Sequence, residues 1–251
     1  MARYNHNASP KTLNATTAET ISWESKDISA DTRKVKQLMI ELTGTDNDVN
    51  SIVETRVKAE GKTIFAANEQ ELRALWQALY ASNLGPAAAD PSYSINLGGF
   101  PHGKGMTVEV QKDNTGAAGT AFLGWEEQEQ DTSAYLQYIG RPANCLASTA
   151  RSRFNFESPG LVIGFFLRAA GVDRAALYIK GVGEIVNLRR VLLRQAQLDG
   201  NVRTEINYWF FKLTTPMAAP EGSYLEFDTN ATWSGAAERV AIAAAVPVGV
   251  I

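Results

Sequence analysis

The chain has 251 residues, 45% hydrophobic and 20% charged, an ordinary globular balance with enough length for one large core or two small ones. These figures exclude pervasive disorder, collagen and a coiled coil, and a formal net charge of −3 leaves no global basic field for nucleic acid. Lone Cys145 excludes an internal disulfide framework and a cysteine-rich zinc site, and with only His6 and His102 a multi-histidine metal centre is excluded too.

Residues 1–33 are rich in Asn, Thr, Ser, Ala and Lys, with Ile21, Trp23 and Ile28 as the large apolar anchors. They read either as an N-terminal extended arm that orders only against its own domain, a neighbouring subunit or a surface, or as a merely floppy terminus. The polar start, residues 1–7, lacks the apolar core of an export signal. The sequons at Asn7, Asn14 and Asn230 are therefore read as chance matches. The apolar runs 161–167 and 240–251 fall short of the roughly 20 residues a helix needs to span a bilayer.

Strand signals follow the arm. Val35, Leu38, Ile40 and Leu42 keep mostly to a period of two over residues 35–42. Residues 52–57 alternate, Glu60-Gly61 turns the chain, and 63–66 return. Residues 68–81 break the pattern: Leu72, Leu75, Trp76 and Leu79 recur at three and four, the spacing of a helix. Asn68 is placed as its amino cap, Glu69 and Glu71 suit the first turn, and Gly85-Pro86 stops it. Residues 92–97 and 106–110 alternate on either side of a glycine-rich loop, 98–105, and 120–125 form a further strand candidate. Residues 126–155 are polar and then rich in small residues, with Arg141-Pro142 among them, as in a crossover.

The second half repeats the style. The apolar run 161–167 leads to a turn at Gly171-Val172-Asp173, then to 175–179 and a turn at Gly181-Val182-Gly183. A helical stretch is predicted over 187–197, with Leu188, Val191, Leu192 and Gln195 on related faces, closed by Gly200. Residues 205–213, 224–227 and 238–246 are strand candidates.

Laid on one another, the halves match in order. Strand, turn glycine, strand and Leu/Arg/Gln-rich helix occur in both, with Lys58 on Lys180 and Gly61 on Gly183. Further on, Ile95-Asn96 resembles Ile206-Asn207, and Val108-Glu109-Val110 resembles Leu225-Glu226-Phe227. A unit of this length exceeds a solenoid repeat and equals a whole β-sandwich. One helix among long connections suits a jelly roll better than an immunoglobulin-like domain. The expected fold is mainly all-β: two tandem eight-stranded jelly-roll sandwiches, each with a short helix in a connection. The arm would cover 1–33, the first jelly roll 34–130, the linker and crossover 131–158, and the second jelly roll 159–251.

No catalytic constellation emerges. His6 lies in a polar arm and His102 in a glycine-rich loop, Gly-x-Ser-x-Gly is absent, and 98–105 lacks the order of a phosphate loop. Asp46, Asp48 and Asn50 have the spacing that opens a calcium loop, but Ser51 and Val57 occupy the required glycine and bidentate-acid positions. A surface turn is the simpler reading, with a structural cation between loops as the alternative. Glu126, Glu127, Glu129 and Asp131 read as a solvated face. Basic residues cluster at Arg141, Arg151 and Arg153 and at Arg189, Arg190 and Arg194, the latter set snorkelling beside leucines. Trp76, Trp125, Trp209 and Trp233 are scattered and fit core packing better than a stacking platform. No catalytic, cofactor or metal residue is assigned.

Residues 161–181, an apolar strand followed by Ala169-Ala170-Gly171-Val172-Asp173, an alternating strand and a turn glycine, resemble the double jelly-roll major capsid proteins of tailless, internal-membrane bacteriophages, corticovirus-like in particular. The likeness is clearest over 160–230 and fainter over 35–110. It implies a non-enzymatic coat subunit in the virion, forming pseudo-hexagonal homotrimers that tile an icosahedral shell. Its implied partners are neighbouring capsomers, penton and minor capsid or membrane proteins, and a lipid membrane below the inner face, with no specific nucleic acid. Some such coats bind calcium, but no ligands match here. The principal alternative is a carbohydrate- or receptor-binding jelly-roll module, marked by an exposed aromatic row. A third reading, a glycan-cleaving enzyme, would need a pocket of acids such as Glu109 with Glu226.

Overall fold

The computed structural model describes residues 3–24, 34–80, 91–101, 105–128, 134–144, 151–168, 172–189, 202–205, 208–229 and 237–247. The chain divides into two compact units: Met1–Arg73, Leu84–Ile139 and Pro247–Ile251 form the first, Ala74–Asn83 and Gly140–Val246 the second.

The first unit carries β1 (Arg3–Asn7), β2 (Lys11–Leu13), β3 (Glu19–Trp23), β4 (Lys34–Leu42), β5 (Ile52–Ala59), β6 (Lys62–Ala67), β7 (Ser92–Pro101), β8 (Met106–Lys112), β9 (Gly119–Gln128) and β10 (Ala134–Ile139). A helix, α1 (Glu69–Tyr80), follows β6. One sheet runs β1–β9–β4–β7, with β2 also on β9; the other runs β3–β8–β5–β6, and β10 joins β6 in parallel. Alternation explains the burial. Ile21 and Trp23 on β3, Leu38, Ile40 and Leu42 on β4, and Val108 and Val110 on β8 all turn inward. The two sheets meet where Thr55 Oγ1 and Tyr93 Oη lie 2.7 Å apart and where the Phe100 and Tyr135 rings pack edge to face at 5.2 Å.

The second unit carries β11 (Arg141–Asn144), β12 (Arg151–Phe156), β13 (Leu161–Arg168), β14 (Val172–Ile179), β15 (Gly183–Arg189), β16 (Val202–Glu205), β17 (Tyr208–Ala218), β18 (Ser223–Thr229) and β19 (Ala237–Pro247). One sheet runs β11–β19–β13–β17, with β16 beyond β17; the other runs β12–β18–β14–β15. Between them lies one apolar cluster that includes Val162, Phe165 and Leu167 from β13, Leu177 and Ile179 from β14, and Leu225 and Phe227 from β18.

Among the described residues, setting β2, β10 and β16 aside leaves eight strands in each unit, and the two sets have one topology. Numbered within its unit, the first strand neighbours the eighth, the eighth the third, and the third the sixth. In the facing sheet the order is second, seventh, fourth, fifth. The repeat seen in the sequence is therefore structural: Lys58 and Gly61 belong to the β5–β6 hairpin and Lys180 and Gly183 to the β14–β15 hairpin, while Glu109 and Glu226 occupy the partner strands β8 and β18.

The expected helix at 68–81 matches α1, and its cap is reciprocal. Glu71 N donates to Asn68 Oδ1 at 2.9 Å, and Asn68 N donates to Glu71 Oε2 at 2.8 Å. The second predicted helix differs. Asn187, Leu188 and Arg189 belong to β15, where Asn187 and Leu188 pair with Ala176 and Ala175, and residues 190–197 lie outside the described residues. Residues 1–33, read as an arm, hold β1, β2 and β3, which pair with β9 and β8; residues 131–158, read as a linker, hold β10, β11 and β12. The expected loop at 98–105 is strand as far as Pro101, because Gly98 and Gly99 at φ 73° and 120° let the chain bulge and resume pairing at Phe100 and Val35.

Candidate functional site

The possible calcium loop is a capped turn. Asp48 Oδ1 accepts from Asn50 N at 2.9 Å and Ser51 N at 3.3 Å, opening a short 3-10 turn, Val49–Ser51. Buried Asn47 beside it donates from Nδ2 to the carbonyls of Thr43 and Ala117 at 2.8 Å each, stitching this loop to the one after β8. That second loop is held from inside by fully buried Lys112, whose Nζ donates to Thr115 O at 2.9 Å. Among the described residues no group of three or more His, Cys, Asp and Glu side chains is placed to hold a metal ion.

The acidic run is not uniformly solvated, contrary to expectation. Glu127 is fully buried and accepts from Trp125 Nε1 at 3.0 Å, while half-buried Glu126 meets Lys36 at 3.4 Å. The alternation of β9 causes this, since Trp125 and Glu127 both point into the core. Glu129, Asp131, His102, Cys145, Arg190, Arg194 and Trp233 lie outside the described residues. His6 is on β1, Trp76 on α1, Arg141 on β11, Arg189 on β15 and Trp209 on β17.

Arg151 and Arg153 belong to the most developed polar constellation, on the outer face of β12–β18–β14–β15. Period-two alternation puts Arg151 and Arg153, Tyr224, Glu226 and Asp228, and Arg174 and Tyr178 on this one face. Glu226 is approached by Arg153 at 3.2 Å, Arg151 at 3.4 Å and Arg174 at 3.6 Å. Asp228 meets Arg174 at 3.0 Å and Arg151 at 3.5 Å. Glu184 on β15 extends the ladder, 3.7 Å from Arg174. Tyr178 and Tyr224 stack with centroids 4.7 Å apart, and the Arg153 guanidinium sits 3.9 Å over the Tyr224 ring. The tyrosines thus spend their faces on each other and on Arg153 instead of presenting an open aromatic row.

The corresponding face of the first unit is simpler. Lys58 Nζ meets Glu109 at 2.7 Å, and Arg56 pairs with Glu54. Thr20, Glu54, Arg56, Glu109 and Gln111 line a shallow depression there. Glu109 and Glu226 are thus each bound to cations of their own sheet. The sequence singles out Arg151 and Arg153 as a basic cluster but not Arg174, Asp228 or the tyrosines; the signal for these is the period-two run Tyr224-x-Glu226-x-Asp228.

No protein-family model matches the chain, and no curated protein matches it in sequence. Solved structures do match in shape. The major capsid protein P2 from bacteriophage PM2 superposes with a TM-score of 0.74 at 9% identity, covering 98% of each chain. The STIV major capsid protein gives 0.71 at 13% identity over 98% of this chain and 96% of that one. The PBCV-1 virus capsid gives 0.58 at 8% identity over 98% and 93%. The fold is a double jelly roll. Each unit of a double jelly roll closes its core between its own two sheets, so chemistry toward other molecules falls to loops and outer sheet faces, where the ladder lies.

Proposed function

We propose that this protein is a structural coat subunit that assembles as a trimer and tiles a virus shell over an internal membrane. The observation that carries this reading is the duplication: one chain holds two eight-stranded units of identical strand order, and the solved proteins of that shape are capsid proteins matched over nearly their whole length. Three such chains around an axis present six similar lobes, and a pseudo-hexagonal block packs into a near-hexagonal lattice by repeating one set of contacts. In this reading residues 1–33 and 131–158 supply the opening strands of the two lobes, and the virion is where the protein resides. The capped Asp48 turn and the Lys112 anchor hold two of the first unit's loops by internal hydrogen bonds.

Light scattering on the purified chain tests the proposal. The expected mass is three times the 27.3 kDa of one chain, with no retention on a glycan panel. A monomer that binds a defined sugar would replace the coat reading with the lectin-like one.

A further inference from the structure

We infer, resting on the coat reading, that copies join head to tail through two particular faces: the outer face of β12–β18–β14–β15 on one copy and that of β1–β9–β4–β7 on the next. A chain with two like lobes closes a ring only when the second lobe of one copy meets the first lobe of its neighbour, a heterologous contact between two different surfaces. Two outer faces of suitable and complementary character are present.

On the second unit, the acids are sunk and the arginines stand above them. Side-chain exposure is 10% for Glu226 against 65% for Arg151 and 51% for Arg153. An approaching molecule meets guanidinium groups and tyrosine edges first, the residue types that dominate binding energy at protein interfaces. On the first unit, Met39 and Phe122 are each 38% exposed on neighbouring strands. Met39 lies opposite Gly124, which has no side chain to cover it, and Phe122 lies opposite exposed Glu41. This face offers an apolar patch with a carboxylate at its side, the complement of an aromatic face carrying arginines.

The test uses the full chain and a charge exchange. Glu41→Arg and Arg153→Glu, made singly, are expected to weaken the trimer by at least about tenfold in dissociation constant, since like charges then face each other; the two together restore it. Phe122→Asp reads the first face independently, and Arg153→Gln the second should Arg153→Glu beside Glu226 fail to fold, with near-UV circular dichroism reporting the fold of each. Folded single variants that remain as trimeric as the parent, or a folded double variant no better than either, would overturn the assignment while leaving the coat reading standing. Rescue of association by anionic lipid vesicles or by a glycan instead of the double exchange would overturn it in favour of those occupants. A parent protein that stays monomeric at every concentration removes the coat reading itself.

Discussion

At the residue scale, several buried polar side chains are each held by a defined partner. Asn47 ties two loops, Lys112 fills the interior of one, and Glu127 holds the Trp125 indole. Tyr93 and Thr55 make the hydroxyl contact between the sheets of the first unit. Burial pushes the Tyr93 phenol above its ordinary range, and the bond to Thr55 pulls it back only in part; burial moves Tyr135 the same way. A folded-state pKa above the unfolded one means that the folded protein holds its proton more tightly. The contribution is therefore complete below the unfolded value, about 10, and is lost as the pH rises beyond it. Tyr93→Phe is expected to cost about 1 kcal/mol at neutral pH by stranding the Thr55 hydroxyl. The variant should also lose stability less steeply than the parent above pH ~10. Urea unfolding at the two pH values measures both effects, and equal alkaline slopes would contradict the burial argument.

At the element scale, α1 is anchored at its start. The Asn68–Glu71 exchange satisfies two backbone donors, and the second oxygen of buried Glu71 accepts from Tyr138 Oη at 3.2 Å, joining the helix to β10. Asn68→Ala should cost about 1 kcal/mol, lowering the melting temperature by about 2–4 °C. Differential scanning calorimetry would show it, and an unchanged melting temperature would mean that packing alone holds the helix. This cap is legible in the sequence because all its parts lie within four residues, as are the strands whose inward positions are large and apolar, such as Leu38, Ile40 and Leu42. The opening strands of each unit are not. β1 (Arg3–Asn7) carries Tyr4 as its only large side chain with apolar character, β11 (Arg141–Asn144) has none, and on β12 exposed arginines alternate with Ser152 and Phe154. Such strands exist because distant partners hold them, Asn5 opposite Glu126 and Phe154 opposite Leu225, and no local period announces that. The ion ladder is hidden for the same reason, since Arg151 and Glu226 stand 75 positions apart.

At the scale of the whole molecule, the duplicated strand order is the fact with the widest consequence. Two units that share topology offer a ring six similar positions from three chains, whereas one sandwich would offer three. The outer faces of the two corresponding sheets differ: Lys58–Glu109 and Arg56–Glu54 in the first unit, the arginine–carboxylate ladder over stacked tyrosines in the second. Single-particle electron microscopy of the purified, associated protein tests this most directly. The expected result is a threefold particle with six sandwich lobes of two alternating kinds. A twofold particle, or a threefold one with only three sandwiches, would contradict it.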